Sequence, residues 1–82
     1  MSDSTNPTIT QEINAVGLLC PLPILRLKKR VQSLPSGSVV EFLTDDPTGR
    51  KDLESLCSIA GHVIEEVTEL AQGVVRFRVV LA

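Results

Sequence analysis

The chain has no tryptophan and no tyrosine, and only two phenylalanines. Its core must therefore be aliphatic, and it has almost no aromatic faces on which single-stranded bases could stack. It also lacks a cationic excess: the net charge of −2 argues against a dedicated nucleic-acid binder, which draws its affinity from Lys and Arg against phosphate. No apolar run is long enough to span a membrane, and Met1 to Thr8 has no basic start followed by an apolar stretch, so no secretory signal is expected. One histidine and two widely separated cysteines, Cys20 and Cys57, supply neither a clustered zinc ligand set nor a disulfide framework. Together these absences predict a cytoplasmic protein with no metal, and with neither nucleic acid nor membrane as a direct partner.

What remains is a short chain, 82 residues, which at this size buries only about 60% of its unfolded surface and has room for one simple core. Residues 1–7 are polar and read as a flexible N-terminal leader, and residues 8–82 as a single domain. Thr8 to Asn14 is a weak strand signal carrying Ile9 and Ile13. From Pro21 to Leu34, Ile24, Leu27, Val31 and Leu34 recur at helical spacing, with Arg26, Lys29, Arg30 and Ser33 on the opposite side. Pro35-Ser36-Gly37 ends that helix. Ser38 to Thr44 is nearly continuously apolar, as a buried central strand is.

Asp45-Asp46-Pro47 is a start signal, with an Asp as cap and Pro47 at the first position of a helix over 47–60. Leu53, Leu56, Cys57 and Ala60 share one side of it, and Gly61 closes it. Residues 62–70 and 74–81 alternate about Ala71-Gln72-Gly73, the signature of a hairpin whose opposite charges could pair across it. The order is β-α-β-α-β-β. It predicts an α+β two-layer sandwich, a four-stranded mixed sheet with both helices packed on one face.

Chemistry concentrates in Gly17-Leu18-Leu19-Cys20-Pro21-Leu22-Pro23. Proline is tolerated in the first turn of a helix, where the amide hydrogens have no intrahelical acceptor. Cys20 is therefore predicted at the N-cap, facing the positive end of the dipole, which favours thiolate over thiol. The two prolines remove two amide donors and leave Leu22 as the nearest, so moderate activation is expected. That suits thiol exchange, because nucleophilicity falls as acidity rises.

These residues resemble the Cys-Pro-x-Pro signature of the TusA/SirA-like sulfur-carrier family. Asp45-Asp46-Pro47, followed by Asp52-Leu53 and Cys57, resembles that family's second block, so the likeness covers about residues 8–81. The resemblance implies a βαβαββ sandwich and a cytoplasmic sulfurtransferase that carries sulfane sulfur as a persulfide on Cys20, with no cofactor. It implies a cysteine desulfurase or other donor protein on one side and an acceptor protein on the other. The routes it opens are tRNA 2-thiouridine synthesis, molybdenum-cofactor supply and sulfur oxidation. One position departs from the family pattern: an Asp usually stands three residues before the glycine, where this chain has Asn14, which keeps the hydrogen-bonding groups and loses the charge.

The expected site is thus Cys20 as the reactive group, with Gly17, Pro21 and Pro23 shaping its loop. Arg26, Lys29 and Arg30 are docking candidates for an acidic patch on a donor or acceptor, although a basic helix face is commonly just solvated. Cys57 reads as core and His62 as structural. Asp45 and Asp46 read first as caps. A different class of function fits the same residues: a non-catalytic interaction or regulatory domain in which Cys20 is a redox-sensitive thiol.

Overall fold

The computed structural model describes residues 10–82; the leader and Thr8-Ile9 of the first expected strand lie outside the described residues. Four strands and two helices follow the expected order. They are β1 (Thr10–Asn14), α1 (Leu22–Val31), β2 (Val39–Thr44), α2 (Gly49–Ala60), β3 (Val63–Glu69) and β4 (Val75–Val80). The single sheet is ordered β1-β2-β4-β3, with β1 parallel to β2 and β4 antiparallel to both β2 and β3. The fold is α+β with a mixed sheet, and β2, the most apolar segment, occupies an interior position as its composition requires.

Alternation sorts the strands. Ile13 pairs with Phe42, and Phe42 with Phe77. These three are essentially fully buried, together with Val40, Val79, Leu27 and Leu53. Both aromatic residues of the chain are thereby enclosed, their ring centroids 6.3 Å apart and tilted by 34°, and no aromatic face is left at the surface. On the other side of the sheet, Arg78 Nη2 donates to Glu41 Oε2 at 3.1 Å. This ion pair joins β4 to β2. The hairpin register does set opposite charges face to face, Glu66 against Arg78, but because β4 lies between β3 and β2 the guanidinium makes its close ion pair with the β2 carboxylate.

The helix ends differ from expectation. Helix α1 begins at Leu22 with Pro21 as N-cap, which places Cys20 one residue outside it. It ends at Val31, and Leu34 follows as part of the turn, still packed on the core. Helix α2 begins at Gly49 with Thr48 as N-cap, so Pro47 is not its first residue. Asp46 organises that turn: its Oδ1 accepts from both the backbone N–H and the hydroxyl of Thr48, each at 3.1 Å. Leu53 and Cys57 face the core as expected, Leu56 packs at its edge, and Ala60 is exposed in the last turn. Gly61 ends the helix in the left-handed region, φ 83°, where glycine carries no Cβ penalty.

Candidate active site

Both helix starts lie at one end of the sheet, because β1 and β2 are parallel and each feeds directly into a helix. The approach is close at α2: a Cβ on Gly49 would stand 2.7 Å from Thr44 Cγ2. Thr44 is itself buried, and its Oγ1 accepts the backbone N–H of Asp46 at 3.1 Å. Leu53, fully buried, fixes the rotation of α2, and its neighbour Asp52 is consequently turned towards the β1–α1 loop.

Three hydrogen bonds made by side chains help to hold that loop. Asn14 Oδ1 accepts the N–H of Val16 at 2.9 Å, an Asx-type turn that an uncharged side chain makes as well as an aspartate. Arg26 Nη1 donates to the Asn14 carbonyl at 2.9 Å. Gly17, at φ 89°, donates its N–H to Asp45 Oδ1 at 3.0 Å. Glycine adopts this backbone conformation without steric cost. The chain then presents Leu19 and Cys20 outward, reaches Pro21 through a cis peptide bond, and enters α1 with Pro23 buried in its first turn.

Cys20 is exposed. Its Sγ donates to Asp52 Oδ2 at 3.4 Å. That contact reverses the expected acidity: the thiol is held above its ordinary value, chiefly because the Asp52 carboxylate accepts a hydrogen bond from it, with partial desolvation and the charges of Asp52 and Asp46 adding to the effect. The Thr48 hydroxyl works in the opposite direction, but its one hydrogen is also drawn to Asp46. The helix-dipole argument fails here for a local reason. Cys20 precedes the N-cap, Pro21 and Pro23 have no N–H, and the Leu22 N–H is bonded to the Leu19 carbonyl at 2.8 Å.

Along α1, starting from the loop that carries Cys20, runs an open groove of about 700 Å³ lined by Leu18, Leu22, Leu25, Arg26, Lys29 and Arg30. Leu19, Leu22 and Leu25 are apolar yet 69%, 51% and 49% exposed. An accessible thiol therefore adjoins an apolar strip bordered by cations.

A family model described as "Sulfurtransferase TusA" matches residues 11–80, nearly every described residue. The chain belongs to the TusA family. The sulfur carrier protein TusA of Pseudomonas syringae pv. syringae is 39% identical over 67 residues, spanning 82% of this chain and 77% of that protein. TusA of Allochromatium vinosum is 41% identical over 59 residues, 72% of this chain and 78% of its own. Among solved structures, a SirA-like protein from Desulfitobacterium hafniense superposes with a TM-score of 0.76 at 32% identity, covering 88% of this chain and 96% of that one.

Within this TusA-family fold, Gly17, Cys20 and Pro21 lie on the β1–α1 loop, Pro23 is buried in the first turn of α1 that follows it, and Lys29 and Arg30 project from that helix. Arg26 differs from them, since its guanidinium reaches back to the Asn14 carbonyl. Asp45 caps no helix and instead ties down the loop carrying Cys20. Asp52 and Thr48 are the residues that sequence reasoning left without a role at the sulfur. A signal for Asp52 existed in its adjacency to the core position Leu53 near the start of α2, but it became informative only once α2 was laid beside the β1–α1 loop. Cys57 is buried, and its thiol is pushed up by desolvation. His62 Nδ1 accepts the N–H of Ala82 at 3.0 Å, a structural contact remote in sequence from Cys20. Among the described residues no group of His, Cys, Asp and Glu is arranged to hold a metal ion, and no helix is long and apolar enough to cross a membrane.

Proposed function

We propose that this protein is a persulfide-carrying sulfurtransferase whose cargo rides on Cys20. The observation that carries this reading is the exposed Sγ of Cys20 on a loop tethered by Asn14, Asp45 and Arg26, in a chain of the TusA family. In the loading step Sγ attacks the outer sulfur of a donor protein's persulfide. The S–S bond of the donor breaks, its electron pair leaves on the donor's own cysteine sulfur, and the product is Cys20-S-SH. Delivery repeats the exchange towards the thiolate of an acceptor protein. Each step is a thiol–persulfide exchange with no net redox change and needs no cofactor.

The donor is a cysteine desulfurase or another persulfide-bearing protein. The acceptor is a protein thiol feeding tRNA 2-thiouridine synthesis, molybdenum-cofactor supply or sulfur oxidation, all of them cytoplasmic processes. The groove beside α1 suits a partner that brings apolar side chains for Leu22 and Leu25 and carboxylates for Lys29 and Arg30.

Incubation with a cysteine desulfurase and cysteine, read by intact mass, tests the reading. A reversible gain of about 32 Da, one sulfur atom, is expected on the wild type and on Cys57→Ser but not on Cys20→Ser. Equal sulfur uptake by Cys20→Ser would overturn it. Oxidation of Cys20 with no sulfur uptake would favour a redox-sensitive regulatory domain instead.

A further inference from the structure

We propose that Asp52 favours the empty state of the carrier, by holding the proton of Cys20 in a hydrogen bond that only the unloaded thiol can make. This deepens the persulfide-carrier reading and rests on it.

The geometry is state-specific. In the unloaded protein Sγ carries a hydrogen and directs it at Asp52 Oδ2, 3.4 Å away. In the loaded protein the same Sγ is bonded to carbon and to the outer sulfur and has no hydrogen left to donate. The carboxylate then faces the lone pairs of Sγ, and once the outer S–H ionises, the persulfide anion held there meets its negative charge. Among the described residues, no cation is among the groups acting on the sulfur. Asp46, on the loop before α2, is the other charged group acting on the sulfur. On the remaining neighbours, the β1–α1 loop from Ala15 to Leu19 has no ionisable side chain, Arg50 pairs with Glu54 at 3.5 Å, Lys51 is exposed on the surface of α2 that carries Glu54, Ser55 and Ser58, and the first cation of α1, Arg26, is bonded to the Asn14 carbonyl.

Two consequences follow for a carrier. The idle thiol stays protonated, so it exchanges slowly with stray disulfides, which react through thiolate. Bound sulfur is also biased towards departure, because its transfer restores the Cys20–Asp52 hydrogen bond.

The equilibrium can be read with glutathione persulfide as the probe. Sγ bonds to its outer sulfur, the S–S bond of glutathione persulfide breaks, and glutathione's own sulfur keeps the electron pair and takes up the proton that Sγ gives up. Cys20-SH and glutathione persulfide thus become Cys20-S-SH and glutathione. At a fixed ratio of glutathione persulfide to glutathione, intact mass gives the loaded fraction. Asp52→Asn is expected to raise the ratio of loaded to empty protein severalfold and Asp52→Glu to raise it less. Glu65→Gln, an equal change of net charge on the exposed edge strand β3, should leave it unchanged.

In parallel, the pH profile of iodoacetamide alkylation should move to lower pH in Asp52→Asn, with severalfold faster alkylation at neutral pH, and stay in place in Glu65→Gln. Equal loading of wild type and Asp52→Asn, or an equal shift in Glu65→Gln, would overturn the role of Asp52. Absence of any loading of the wild type would instead defeat the carrier reading, while the alkylation profile still decides whether Asp52 holds the proton.

Discussion

Gly17 and Asp45, 28 positions apart, are joined by a hydrogen bond of 3.0 Å from the glycine N–H to Asp45 Oδ1. It is the direct tie between the loop that presents Cys20 and the loop that starts α2. A second contact, Cys20 to Asp52, spans 32 positions between the same two regions. The sulfur is thus positioned by two carboxylates that flank the start of α2, one acting on the backbone before Cys20 and one on its thiol.

Asp45→Ala should loosen the loop without disrupting the core. Asp45 is exposed, so the lost bond is expected to cost about 1 kcal/mol of stability, the usual net worth of one hydrogen bond. Sulfur loading should fall by more than stability alone accounts for, because the loop then samples orientations in which Cys20 is misdirected. Parallel denaturant melts and loading rates check this. A drop in stability with an unchanged loading rate would mean the tether is structural only.

Gly49→Ala tests the packing that places Asp52. With the added Cβ 2.7 Å from the buried Thr44, either α2 or the end of β2 must shift, and overpacking of this kind typically costs about 1–3 kcal/mol. Thermal melts should show the loss. Cys20 alkylation should also become faster at neutral pH as Asp52 moves away from Sγ.

Much of this architecture was legible in the residues. The run Ser38 to Thr44 announces an interior strand, the Ile24-Leu27-Val31-Leu34 stripe a helix over the sheet, and Ala71-Gln72-Gly73 a hairpin, because each is a pattern of burial or turn residues local in the chain. The helix starts were read too early for a local reason as well: proline fits a first turn but does not require one, and at Thr48 the Asp46 side chain captures the N–H before the helix begins. The Cys20 thiol was misjudged because the decisive group, Asp52, is distant in sequence and nearby only after the helices pack. The same applies to Arg78, whose partner Glu41 became its neighbour only through the insertion of β4 between β2 and β3.

Cys57 predicts a loss of stability in alkali. Burial raises its thiol above the ordinary value of 9.0, so in the folded state it keeps its proton to higher pH than in the unfolded chain. Its contribution is therefore complete below the unfolded value and fades as pH rises through the folded one. In a Cys20→Ser background, which removes the other raised thiol, the melting temperature should fall more steeply above about pH 8.5 than it does when Cys57→Ala is added. Parallel curves for the two proteins would show that Cys57 does not titrate differently on unfolding.

Lys29 and Arg30 are exposed in the last turn of α1, where positive charge complements the carboxyl end of the helix dipole whatever else it does. Charge reversal separates that bland role from docking. Lys29→Glu with Arg30→Glu should cost about 0.3–1 kcal/mol of stability per residue through the dipole. If the groove along α1 receives an acidic partner, the reversal should also slow loading by a desulfurase severalfold at low ionic strength. The salt dependence distinguishes the two effects. Steering between exposed charges is screened over about 10 Å at 0.1 M salt, so wild-type loading should slow as salt rises, whereas the doubly reversed protein should be slow at low salt and change little, or recover, as salt is added. Loading rates that coincide at every ionic strength would leave these two cations with the helix end alone, and the partner would then be held by Leu19, Leu22 and Leu25.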